Sequence, residues 1–281
     1  MTMIRRSTSL LTALALAAFA SGTLAQTPIR TGIDATFAPH AMPRLGGGHE
    51  GFNVDLANEL AKRMARPINI EYTEFSALIP GLNAGKYDFL IAPTTVTPDR
   101  AKNLLFTEGY METDYMFVQK KGEKPLTGLE DLKGKKIAVN KGSAYETWAK
   151  ANGEKYGFAF DVYGTNADAV QAVLSGRADA NMAGHTNAMW AAKQNPMLAA
   201  TFTHRTGLVW AMPFRKDDKA GRDAVSMHLK CMKQDGTIAR LHEKWFGIRP
   251  GPESWVNKVA AGHGVPDMEG YDPGPVALKC S

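Results

Sequence analysis

The chain has 281 residues, 44% of them hydrophobic, which is enough for about two domains with buried cores and excludes a disordered polypeptide. Its 33 Lys and Arg against 28 Asp and Glu leave a formal net charge of +5, and the basic residues are scattered rather than gathered on one face, which argues against a nucleic-acid partner. Two cysteines with no CxxC or HExxH spacing exclude a closed metal site, and no sequence feature calls for a cofactor.

The chain opens with Arg5 and Arg6, then the apolar stretch Leu10 to Ala20, then small residues ending at Ala25, the three-part layout of a secretory signal peptide over residues 1–25. The stretch is shorter than the roughly 20 residues needed to span a bilayer. Without the two leader arginines the formal charge falls to +3, and the leader has no cysteine to take a lipid, so a soluble exported product is expected. Cys231 and Cys280 both lie in the exported part, where an oxidising compartment favours one disulfide, which in the chain-entropy model contributes about 4 kcal/mol.

After the leader, Ile29 to Ile33 predicts a strand, and DATFAPHAMPRLGGGHE is too polar and glycine-rich to be anything but a loop. Phe52, Leu56, Leu60 and Met64 recur every four residues, predicting a helix with Asn53 as N-cap, and Pro67 bars its continuation. A strand (Ile68 to Tyr72), a helix (about Ser76 to Ala84) closed by Gly85 and a strand (Tyr87 to Ala92) follow, an alternation that implies a parallel sheet flanked by helices. Tyr115 to Lys120 reads as an extended connector. The alternation restarts with a strand at Lys136 to Asn140, a helix from about Ser143, then strand, helix, strand (Asp179 to Ala183) and helix. Leu208 to Phe214 reads as a second connector leading back. Helices at Lys219 to Lys233 and Thr237 to Trp245 have no new sheet to cover and are expected to return to the first unit. Prolines 250, 252, 266, 273 and 275 make the remainder an irregular tail.

Eight ordered segments carry a resemblance: GIDATFAP, GFNVDLANELAKRM, LIPGLNAGKYDFLIA, TVTPDRA, LKGKKIAVNKGSAYE, LSGRADA, FRKDD and KQDGTIARLHEKWFG. Together they make the chain similar to the type II periplasmic solute-binding proteins of the polar amino-acid class, bacterial solute-binding protein family 3, the receptors of ABC importers. The resemblance implies an α/β fold of two lobes, each a mixed, mostly parallel sheet with flanking helices, joined by a two-strand hinge that closes on a ligand. Residues 26–117 and 210–246 would form lobe one, 118–209 lobe two, and 247–281 a tail packed on lobe one. It also implies a periplasmic monomer that presents a small carboxylate-bearing solute to a membrane permease.

Carried over by position, Arg100 would clamp the ligand's carboxylate, since a guanidinium offers two parallel donors to two oxygens. Thr94 and Thr95 would line the same place. Ser143 and Ala144 would add the free N–H groups of a helix start. Phe37 and Phe75 would wall the ligand's apolar body, and Asp34 would face a basic ligand group. One position departs from the pattern: relatives that bind α-amino acids place an aspartate eight residues after the glycine of GRxDA, to pair the ammonium, and here that residue is Gly184. His185 and Asn187 stand beside it as substitute polar contacts. Pro93 likewise supplies no donor where relatives have a backbone N–H or a small side chain. These departures predict a small carboxylate without a standard α-amino group, or one presenting it differently. The same fold also hosts lyases of the cyclohexadienyl dehydratase type, in which Glu74 or Asp34 would have to act as acid. No paired-carboxylate, GxSxG or phosphate-loop motif supports that alternative.

Overall fold

The computed structural model describes residues 26–280. The leader expected over 1–25 lies outside them. The chain opens with strand β1 (Ile29–Ile33) and, inside the stretch read as a loop, a two-strand hairpin of β2 (Met42–Pro43) and β3 (His49–Glu50). Helix α1 (Phe52–Arg63) turns Phe52, Leu56 and Leu60 fully inward. Its N-cap is Gly51, not Asn53. Gly51 holds φ 146°, and a Cβ there would run into the His40 carbonyl, so only glycine lets the chain enter the helix at this point.

Strand β4 (Ile68–Tyr72), helix α2 (Phe75–Asn83) and strand β5 (Phe89–Leu90) complete a parallel sheet of order β4-β1-β5. β5 is shorter than the sequence predicts because the Ile91 N–H leaves the ladder for the Thr31 hydroxyl, 2.8 Å away. Strand β6 (Thr94–Thr95), helix α3 (Pro98–Ala101), strand β7 (Leu104–Phe106) and strand β8 (Met111–Glu112) lead out of this unit.

The stretch read as a connector, β9 (Tyr115–Lys120), lies inside the second sheet. That sheet comprises β10 (Lys136–Asn140), β11 (Ala159–Tyr163), β12 (Ala180–Gly184) and β13 (Leu198–His204), in the order β11-β10-β12-β9-β13. The first three strands are parallel, and β9 runs antiparallel to both its neighbours. Helices α4 (Ala144–Tyr156), α5 (Asn166–Leu174) and α6 (His185–Gln194) cover its faces. The chain returns through β14 (Val209–Ala211), which pairs with β6 and β8, and β15 (Pro213–Arg215), which pairs with β7. Between the two crossings, Thr113 N–H donates to Leu208 O at 2.9 Å and the Thr206 hydroxyl to Thr113 O at 2.8 Å, so the connecting segments run side by side.

Helices α7 (Lys219–Gln234) and α8 (Thr237–Phe246) pack on α1, β7 and β15 of the first unit. Among the described residues the tail that follows contains no helix, and it is tied down by covalent, ionic and backbone contacts. Cys231 on α7 is disulfide-bonded to Cys280. Lys230 and Lys233, both buried, reach Glu108, and their ammonium groups also donate to Ala260 O (2.6 Å) and Lys258 O (2.7 Å) in the tail. Glu112 on β8 receives the Trp255 N–H at 2.7 Å and the Ser254 hydroxyl at 2.9 Å.

Candidate functional site

Residues that are far apart in sequence line one cavity between the two sheets: Asp34, Phe37, Phe75, Ala92, Pro93, Thr95 and Arg100 from one side, Asn140, Ser143, Ala144 and Tyr145 from the other. Each group sits where a strand ends and a helix begins, the place where open α/β sheets bind ligands.

Thr97 caps α3, its hydroxyl accepting from Arg100 N–H at 3.3 Å, and this sharp start throws the Arg100 side chain inward. Its guanidinium donates to Thr95 O at 2.9 Å and, across the gap, to Gly142 O at 3.0 Å, and it lies 5.6 Å from the centre of the Phe75 ring. Among the described residues no carboxylate pairs with it, and burial draws its pKa below the ordinary arginine value. Opposite stands the start of α4. The Ser143 hydroxyl is the N-cap: it accepts from Glu146 N–H at 3.1 Å and donates to Asn140 O at 2.5 Å. The N–H groups of Ala144 and Tyr145 receive no acceptor among the described residues, as expected of the first turn of a helix. A partly buried cation and a helix N-terminus therefore face one space, an arrangement suited to a carboxylate.

Asp34 is 2% exposed and takes hydrogen bonds from donors only: Thr36 N–H (2.8 Å), the Thr36 hydroxyl (2.7 Å) and Phe75 N–H (3.1 Å). It stiffens the loop after β1 and fixes the start of α2. Phe37 and Phe75 supply aromatic wall, Phe37 meeting Trp210 edge-on at 6.2 Å.

Four residues named from sequence are not brought to this cavity. Thr94 is fully buried in β6, its hydroxyl spent on Ala92 O at 3.0 Å. His185 begins α6 and lines a different groove with His242, Trp245 and Phe246. Gly184 lies under Trp210: a Cβ there would stand 2.5 and 2.7 Å from two carbons of the fully buried indole and 2.9 Å from the Tyr145 hydroxyl oxygen. The place of an aspartate is filled by an aromatic ring. Asn187 is likewise turned elsewhere, donating to Ala38 O at 2.6 Å and accepting from Asn166 at 2.7 Å.

Asn140 and Tyr145 line the cavity and were not anticipated. The signal was present: Asn140 is the last residue of a predicted strand just before a predicted helix start.

Residues 29–248 match the family model of bacterial extracellular solute-binding proteins, family 3, and the chain belongs to that family. It is 31% identical over 251 residues to the lysine/arginine/ornithine-binding periplasmic protein of Escherichia coli (strain K12), covering 85% of this chain and 94% of that one. Among solved structures it is similar to an ancestral arginine-binding protein bound to arginine (33% identity, TM-score 0.75, 79% of this chain and 100% of that chain). It is also similar to the ancestral amino acid-binding protein AncCDT-1, a precursor of cyclohexadienyl dehydratase (33% identity, TM-score 0.72, 78% and 95%). The fold is accordingly that of a two-lobed type II periplasmic binding protein. No helix among the described residues is long and apolar enough to cross a membrane.

Proposed function

We propose that the chain is the periplasmic substrate-binding receptor of an ABC importer and closes its two lobes on a small carboxylate-bearing solute. The observation that carries this reading is the Arg100 guanidinium: partly buried, without a carboxylate partner among the described residues, and facing the free N–H groups of α4. A partly buried cation left so is costly unless an anion joins it. Docking begins on lobe one, at Arg100, Thr95 and the walls of Phe37 and Phe75. Closure adds Ala144 and Tyr145 N–H, and exclusion of water strengthens each polar contact. Ser143 acts through its cap, which orients those N–H groups.

The ligand either lacks an α-ammonium group or holds it away from position 184, because Trp210 covers Gly184 and Pro93 has no N–H to give. Membership of relatives in amino-acid transport supports an amino acid or an amino-acid-like organic acid as the solute class. A lyase on this fold would need a carboxylic acid placed to protonate a leaving group. Asp34 is wired to three donors, and Glu74 is solvent-exposed at the start of α2. We therefore read the protein as a binder.

Mass spectrometry of the small molecule that copurifies, followed by a thermal-shift panel of organic and amino acids, tests this. The expected result is a carboxylate that raises the melting temperature in proportion to ln[ligand] above its Kd. A panel in which only carboxylate-free compounds stabilise the protein, or turnover of a prephenate-like compound, contradicts it.

A further inference from the structure

Asn140 ends β10 with its side chain 2% exposed, lines the cavity, and forms no side-chain hydrogen bond with any described residue; its Oδ1 is buried without a partner. Buried polar atoms are ordinarily paired, so a buried Oδ1 left without a partner, on an amide that lines a ligand space, marks a group reserved for the ligand. Several other polar groups on the walls are committed to the protein itself. Asp34 holds its own loop, Ser143 caps α4, and Thr95 O and Gly142 O are taken by Arg100.

We infer that Asn140 is the specificity-determining contact of this receptor and that its ligand carries, besides the carboxylate held at Arg100, an uncharged group that both donates and accepts hydrogen bonds: a hydroxyl or a carboxamide. This rests on the receptor reading above. The chemistry follows from the amide's two faces. An ammonium can only donate, and Asn140 offers it no countercharge; a second carboxylate can only accept, which leaves Oδ1 unpaired. A hydroxyl or primary amide satisfies both ends. With position 184 closed by Trp210, Asn140 is the side-chain amide of lobe two that lines the cavity and remains free to choose among carboxylates.

The test uses matched pairs of probes differing by this group alone: lactate and propionate, malate and succinate, glutamine and norvaline. Affinities are measured by calorimetry for the exported protein, for Asn140→Leu, which keeps the volume, and for Asn140→Ser, which withdraws the amide. In the native protein the polar member of at least one pair should bind tenfold or more tightly than its partner. That ratio should fall to near one in both variants, while the apolar member keeps its affinity. A ratio unchanged in the variants overturns the inference, as does a native protein that prefers the apolar members or binds none of the polar ones. Binding of any probe that Arg100→Ala removes preserves the receptor reading when the ratios fail, so the two fail separately.

Discussion

His40 is one of the residues through which the two lobes meet. Its Nδ1 lies 2.9 Å from Asn53 Oδ1 and its Nε2 2.8 Å from Thr186 Oγ1, on the far lobe. Asn53 spends its amide N–H groups on Ile91 O and the Tyr110 hydroxyl, so its oxygen accepts and His40 carries its proton on Nδ1. Burial pushes the imidazole pKa down to about 3. Between its unfolded value near 6.5 and about 3 the unfolded chain binds a proton that the folded chain refuses. This contribution to stability is therefore present above pH 6.5 and lost as pH falls, by about 1.4 kcal/mol per unit at most. Urea unfolding of the native protein and of His40→Gln from pH 7 to 4 should show the native stability falling faster; parallel curves contradict this. At Gly184, substitution by Asp should lower stability by about 1–3 kcal/mol through overpacking on Trp210, with no gain in α-amino-acid affinity. A Gly184→Asp protein of native stability with tightened amino-acid binding contradicts the filled-site reading. The glycine itself was legible in the sequence, because it replaces an expected acid. Its lid was not, since Trp210 reaches it from the returning hinge strand, and Asn53 was misread for the same reason: its partners lie 38 and 57 residues away.

Three strands are legible in the sequence to the residue. β1, β4 and β10 match their expected limits, and α4 starts at its expected polar residue, Ser143. The connectors were harder, because β9 is buried on both sides of a mixed sheet and its apolar run looks the same whether it bridges or pairs. The tail showed only prolines, glycines and one cysteine, so its anchoring by Lys230, Lys233 and Glu108 was hidden. The disulfide closes a separation of 49 residues, and its loss through Cys280→Ser should cost up to about 4 kcal/mol in the chain-entropy model. Because the buried ion cluster still holds residues 258–260, the variant should fold, with a lowered urea midpoint. An unchanged midpoint contradicts the strap as a stabilising element. The strap also grips β8 through Glu112, next to the segment where the chain crosses between lobes, so it stiffens the lobe-one end of the hinge.

Across the whole molecule, three hydrogen bonds among the described residues join the lobes away from the hinge: Arg100 to Gly142 O, His40 to Thr186, and Asn187 to Ala38 O. The first of them borders the cavity and makes closure and recognition one event, since the guanidinium that would hold a carboxylate also spans the gap. The measurement that tests this most directly is calorimetric titration of the copurifying small molecule into the native protein and into Arg100→Ala. Removing one partner of a hydrogen-bonded charge pair typically costs about 2–5 kcal/mol, so affinity should fall by about thirtyfold or more while circular dichroism stays native. An Arg100→Ala protein that binds with unchanged Kd would contradict the account.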